Sequence, residues 1–270
     1  MNEQILGVTK IVNLLLGKPA LALLSALHIH VENPEYPIPN HVAMELLVFV
    51  VVAAFFLWLK ARLSVENPGG TQQCMEALIT NSMGVGVRDL IDDLVGHGGE
   101  RYLPMLGSIG IFVLACNLIS VVPGLSSPTA TSSVPLGCAM IVFAYYNWAG
   151  IRKNGLLGHG KHFLGPVWWL SWLMLPIEIV SNVSRLLSLT VRLWVNMLVS
   201  EILYGLFLGL TVALFIGLGK LSPLGYVSGV VPFLAPPLFI LLHVFVALLQ
   251  AFVFTILPVV YIGAVVAEEH

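Results

Sequence analysis

Residues 176–205 read PIEIVSNVSRLLSLTVRLWVNMLVSEILYG, and the fold turns on how this stretch is explained. It lies inside a long apolar run, yet it carries Glu178, Arg185, Arg192 and Glu201. A charge at the centre of a bilayer costs about 2.5–3.5 kcal/mol on insertion scales, so four of them need a reason. Glu178, Ser181, Asn182, Arg185, Ser188, Arg192 and Asn196 recur in steps of three, four and seven, which puts them on one face of a helix. The opposite face is Ile, Val, Leu and Trp. A polar stripe on an apolar helix faces a partner helix or a water-filled path, and reads as functional by default.

The rest of the chain supplies the membrane. It has 270 residues, 58% hydrophobic and 10% charged, with mean hydropathy +0.94. Soluble domains are about 45–50% apolar and about 25% charged. Long continuous apolar runs, rather than short alternating segments, make this an all-α polytopic membrane protein and not a barrel. A net charge of −2 leaves no electrostatic footprint for nucleic acid. Cys74, Cys116 and Cys138 form no CxxC pair; Cys116 and Cys138 sit in apolar runs and read as small core residues, without a disulfide or metal.

In chain order, residues 2–29 read as an amphipathic or short buried helix at the membrane surface, and 31–41, with three prolines, as a loop. Spans are expected over 42–60, 102–122 and 135–151, the last closed by Arg152 and Lys153 and followed by a Gly/His/Lys loop to Gly165. A surface helix over 71–94 lies between the first two. Residues 123–134 form an uncharged loop. From Pro166 to Gly219 no loop signal intervenes except Pro176, and such a run would be roughly 80 Å of helix against about 30 Å of hydrocarbon. Either it folds back between Pro176 and Ser188 or it crosses steeply tilted. Residues 233–266 form the last helix, also too long to cross upright. The expectation is an all-α membrane protein with three clear spans, one surface amphipathic helix and two long C-terminal helical runs; if 166–219 is one tilted element, it has about five membrane helices and a long tilted antiparallel pair at the C-terminus. These form one membrane domain over 1–270, divided into a surface segment (1–41), three spans with their loops (42–165) and the long pair (166–270).

Lys60, Arg62, Arg88, Arg101, Arg152, Lys153 and Lys161 fall on one side of alternating spans; Lys10, Lys18 and Lys220 fall on the other. The positive-inside rule puts the larger group in the cytoplasm and the N-terminus outside. The C-terminus is cytoplasmic if 166–219 crosses once, and outside if it crosses twice.

Arg192 is the sharpest single signal, being always charged and carrying a planar fork of five donors. A structural ion pair with Glu201 along the helix is disfavoured, since nine residues rise about 13 Å. Arg185 reads slightly more as structural, able to snorkel toward a surface. In the last helix His243 and Gln250 are seven apart and share a face. Antiparallel packing of the two long helices lets a single register bring Arg192 to Gln250 and Glu201 to His243. Asn117, in LACNLISVVPG, is balanced between packing glue and pathway lining.

At these residues the sequence resembles subunit a of the rotary ATP synthase Fo sector. Ser184 to Glu201, SRLLSLTVRLWVNMLVSE, is similar to the family signature SRPxSLxxRLxxNMxxGE; PIE places Glu178 at the family's acidic position. HVFVALLQAFVFTILPVVYIGAVVAEEH (243–270) resembles the family's last helix, and NLISVVPG its NLxxxxPG segment. Departures are Leu186 for proline, Val195 and Ser200 for small residues, Ser120 where many relatives carry Asp, and a PTATSS loop without the acid and Asn often found there. The resemblance implies that 166–219 is one tilted element lying with the last helix against a ring of c subunits. The chain would be a proton-channel stator subunit, without nucleotide site, cofactor or metal, and not catalytic alone. Its partners would be the c-ring carboxylate, a b-subunit stalk, lipid and protons. It would sit in a bacterial inner membrane with its N-terminus outside and C-terminus cytoplasmic. Proton translocation would involve Arg192, Glu201, His243, Gln250, Asn196, Glu178, Ser181 and Asn117. A different class, a self-contained secondary transporter or channel, would call for its own substrate site and often inverted repeats; no internal repeat is evident. A scaffold subunit with buried structural polar groups is the plainest alternative.

Overall fold

The computed structural model describes residues 6–26, 28, 35–64, 67–80, 91, 93, 99–122, 124–164, 171–221 and 235–266. Among them the regular structure is helical throughout: α1 (Gly7–Ala26), α2 (Asn40–Ala61), α3 (Gly70–Thr80), α4 (Leu103–Leu118), α5 (Ser133–Leu164), α6 (Ser171–Leu221) and α7 (Ala235–Val266). Short 3₁₀ turns at Gly99–Tyr102, Ile119–Val121 and Pro128–Ala130 join them. All but α3 are long and apolar enough to cross a membrane.

The strongest sequence ambiguity, at Pro176, resolves in favour of continuity. α6 runs 51 residues through Pro176 without folding back. Its apolar window is only 6% buried, and Val180, Val191, Val195 and Val199 are exposed. That surface must be covered by lipid or by another protein, because no soluble chain leaves so large an apolar face open.

One further boundary differs from expectation, and α1, within the helix expected over 2–29, takes on a second reading. The loop expected after Lys153 is helical: α5 continues to Leu164, broken only at Gly155, whose φ of 71° lies in the left-handed region that glycine tolerates. The other glycines there carried the loop signal, but helix geometry accepts them. α1 extends to Ala26 through Lys18 and Pro19, and qualifies by length and hydropathy as a sixth membrane-crossing candidate. Of the surface helix expected over 71–94, α3 covers the first part; residues 81–90 lie outside the described set.

The chain divides into two compact units, through both of which α2, α4, α6 and α7 pass. In the first unit (Met1–Ala54, Ala115–Thr131, Asn196–Ala247), α1 is tied to the prolines before α2 by polar side chains. Asn13 Nδ2 donates to the carbonyls of Thr9 and Ile38, both at 2.9 Å, and Asn13 Oδ1 accepts from Ile38 N at 3.0 Å. Thr9 Oγ1 donates to Asn40 Oδ1 at 2.8 Å. Buried polar groups are thus paired, as they must be away from water. α6 and α7 run antiparallel here: Ser200 meets His243, and further up α6 Phe207 stacks on Phe239 with ring centroids 4.0 Å apart.

The second unit (Phe55–Leu114, Ser132–Val195, Leu248–His270) has a core of Ile91, Tyr102, Leu106, Tyr146, Ala149, Val259 and Ile262. α4 and α7 approach closely where Gly110 faces Thr255, since a Cβ at 110 would run into Thr255 Oγ1. α3 is fastened back to the end of α2 by Gln72, whose amide exchanges two 3.1 Å hydrogen bonds with the backbone of Ser64.

Candidate functional site

The two long helices and the turns after α4 gather a polar cluster within the first unit. His243 is buried on α7 and bonded at both ring nitrogens. Nδ1 lies 2.6 Å from Ser200 Oγ on α6; Nε2 lies 2.9 Å from Ser120 Oγ and 3.1 Å from the Asn117 carbonyl. Glu201, next to Ser200 on α6, accepts the backbone N–H of Ser127 on Oε1 at 2.6 Å. Ser127 Oγ in turn donates to the Cys116 carbonyl at 2.9 Å and lies 2.6 Å from Thr129 Oγ1, which donates to Asn117 Oδ1 at 2.6 Å. Pro128 opens the 3₁₀ turn that folds this hydroxyl-rich segment back onto the end of α4. Asn117 Nδ2 is buried and has no hydrogen-bond partner among the described residues.

Glu201 and His243 line one small cavity with Ser120, Val121, Tyr204 and Ile240. The two are neighbours, but their hydrogen bonds go to serines and backbone: the described geometry contains no direct bond between them. Chemically the set is a run of groups able both to give and to take a proton or hydrogen bond, namely carboxylate, imidazole, hydroxyls and a buried amide.

The polar stripe of α6 straddles two surroundings in the second unit. Asn182 is buried; its Nδ2 donates to the Glu178 carbonyl at 3.0 Å, with Glu178 Oε1 3.4 Å away, and its Oδ1 accepts the Tyr146 hydroxyl at 2.5 Å. Arg185 packs over the ring of Tyr261 at 5.4 Å. Buried positions continue as Leu189 and Leu193, then Met197. Arg192 precedes Leu193 by one residue, about 100° around the helix, and is exposed. Ser181 and Asn196 are half-buried, whereas Gln250 on α7 is buried.

Of the residues singled out from sequence, the structure therefore groups Asn117, Glu201 and His243. Glu178 sits with Asn182 instead, and Arg192 and Gln250 lie on α6 and α7 of the second unit. The sequence reading missed Ser127 and Thr129. Their signal was a run of hydroxyls between two apolar spans, read only as an uncharged loop. Cys116 and Cys138 are buried, as their apolar settings indicated.

The sequence matches the profile of the ATP synthase A chain over residues 42–263. It is 39% identical over 265 residues to ATP synthase subunit a of Koribacter versatilis, covering 98% of each chain. Identity to the Solibacter usitatus subunit a is 40% over 234 residues, 87% of this chain and 90% of that one. To the Sulfurimonas denitrificans subunit a it is 39% over 230 residues, 83% and 92% respectively. The apolar helices, the polar residues they carry and these likenesses lead to one assignment: the chain is a multi-pass membrane protein that belongs to the ATP synthase A chain family.

Proposed function

We propose that this chain is the proton-channel stator of a rotary ATP synthase, with two half-channels offset across the membrane and Arg192 between them. In this reading protons enter from outside past Glu201, His243, Asn196, Asn117 and Gln250 and are passed to a carboxylate on a c subunit. The neutral carboxyl then travels through lipid, which its ionised form could do only at high cost. After nearly a full turn it reaches a cytoplasmic half-channel near Glu178 and Ser181 and releases the proton. Arg192 stabilises the ionised carboxylate and repels a proton attempting to hop directly between the paths. The membrane potential supplies about 2.3 kcal/mol per charge per 100 mV.

The observation that carries the proposal is an arginine left exposed on an apolar helix, on a surface that needs a cover. An exposed guanidinium in lipid demands an anionic partner, and a c-ring carboxylate answers that demand. The hydroxyl-rich cluster around Glu201 and His243 supports the outer path, since a buried Asn117 donor without a partner among the described residues suits a site that water can reach. Contacts with a b-subunit stalk fall to other surfaces. Seven Lys and Arg against three favour cytoplasmic loops after α2 and α5 and a cytoplasmic C-terminus. In this reading α1, although long and apolar enough to cross, is placed along the outer surface, which leaves the N-terminus outside. The division into a surface segment (1–41), three spans (42–165) and a ring-facing pair (166–270) follows.

Acidification of inverted membrane vesicles on ATP addition tests the reading. Arg192→Ala abolishes it while the complex still assembles, and Arg192→Lys does nearly the same, because an ammonium does not reproduce the planar fork. Normal acidification by Arg192→Ala vesicles would falsify the assignment of that residue.

A further inference from the structure

The second unit carries a basic pocket walled by aromatic rings that the proton path does not use. Tyr145, Trp148 and Arg152 share one face of α5 at spacings of three and four. The 3₁₀ turn before α4 brings Arg101 and Tyr102 beside them. Arg101 lies over the Tyr102 ring at 4.9 Å, and Tyr102 meets Tyr145 edge-on at 6.1 Å. Tyr145 leans on Trp148 at 5.7 Å, and Arg152 lies over Trp148 at 5.2 Å. The result is an unbroken row of rings with an arginine at each end. Lys153 joins them around a cavity of about 360 Å³, and among the described residues its lining includes no carboxylate.

Three features of this pocket point to its ligand. Each arginine lies over a ring, and a guanidinium so placed keeps N–H donors that can pair bidentately with phosphate oxygens. The candidate membrane-crossing stretches run from Gly99 and up to Gly155, so on the membrane reading of α4 and α5 Arg101 and Arg152 fall near their ends, at headgroup depth. Tyr and Trp favour that depth. Positive charge that only orients loops would explain the cations but needs neither the rings nor the cavity.

We propose that this pocket binds the phosphate of an anionic phospholipid headgroup. The inference rests on the membrane placement of α4 and α5 and is independent of what Arg192 does. Free phosphate offers the same oxygens without acyl chains, so the test separates the two. The intact complex, extracted in detergent and stripped of lipid, is exposed to phosphatidylglycerol, phosphatidylcholine or inorganic phosphate. Ligand on this subunit is then weighed by native mass spectrometry. The wild type retains phosphatidylglycerol and neither of the others. Arg101→Gln with Arg152→Gln lowers retention about tenfold or more, since each cation near an anionic lipid surface contributes roughly fivefold. Trp148→Leu, which keeps every charge, lowers it as well. Inorganic phosphate bound as well as the lipid, or equal retention by wild type and both variants, overturns the proposal. Should the variants fail to assemble, a photoreactive phosphatidylglycerol on the wild-type complex decides: labelling within residues 99–102 or 145–153 supports the site, and labelling confined to other parts of the subunit overturns it.

Discussion

The backbone N–H of Ser127 donates to Glu201 Oε1 at 2.6 Å, fixing a carboxyl of α6 to the turn that follows α4. One residue earlier on α6, Ser200 reaches the other way, to His243 on α7. Adjacent residues thus hold α6 between two different elements, and the acid and the imidazole are each positioned by a serine.

That bond can be removed by a residue whose own φ fits the site. Ser127 has φ −71°, within the range of proline, which lacks the donor. Ser127→Ala and Ser127→Pro both lose the hydroxyl, so their difference isolates the N–H. ATP-driven acidification is expected to be about tenfold slower in Ser127→Pro than in Ser127→Ala, the scale of one lost hydrogen bond to an ionisable group. Equal rates would show that Glu201 does not depend on this donor.

Glu201 and His243 share a cavity, so their substitutions should not act independently. Glu201→Ala and His243→Ala each impair pumping, and the double variant loses little beyond the worse single, as coupled neighbours do. The exchange Glu201→His with His243→Glu recovers part of the activity. In the same helix register, cysteines at 192 and 250 cross-link while those at 192 and 243 do not. Strictly additive losses together with cross-linking in another register would mean the two groups serve separate surroundings.

Glu178→Ala is expected to slow pumping less than Arg192→Ala. Asn182 is held through the backbone carbonyl of residue 178, which alanine keeps, and through the Tyr146 hydroxyl. Only the weaker 3.4 Å approach to the carboxyl is lost. A loss as complete as that of Arg192→Ala would move Glu178 from a wet approach into the essential step.

Gly110→Val should weaken the second unit, because even a Cβ there meets Thr255 Oγ1. Overpacking of this kind costs about 1–3 kcal/mol. Thr255→Ala removes the obstructing hydroxyl, whose own bond to the Ala251 carbonyl is internal to α7. Thermal unfolding of the detergent-solubilised complex is read for wild type, both singles and the double. The double is expected to unfold above Gly110→Val alone. A double no more stable than that single would mean the clash lies elsewhere.

Much of this arrangement was legible in the sequence because it rests on periodicity. Runs of Leu, Val and Phe marked the helices, and α6 and α7 meet antiparallel at Ser200–His243 and Phe207–Phe239, whereas the expected pairing of Arg192 with Gln250 stays a proposal. The exposure of Arg192 was not legible, since one residue of offset from Leu193 separates the buried face from the open one. The anchoring of Glu201 was hidden for a different reason: its partner is a backbone N–H, which every residue but proline possesses, so Ser127 carried no distinguishing mark. The helix beyond Lys153 was obscured by glycines, only one of which, Gly155, breaks it.

The bonds that hold the two ends of the first unit differ in reach along the chain, and this bears on the order of assembly. Asn13 to Ile38 spans 25 residues, and Thr9 to Asn40 spans 31. Ser127 to Glu201 spans 74, and Ser120 to His243 spans 123. Loop closure favours near pairs, and synthesis delivers them first. The α1–α2 hairpin can therefore settle while the ribosome is still making α6, whereas His243 meets its serines only after α7 has been inserted. Until then Ser120, Ser200 and the Asn117 carbonyl sit in the membrane without their histidine, so a nascent chain halted before α7 carries unmatched polar groups of the kind that membrane quality control can recognise.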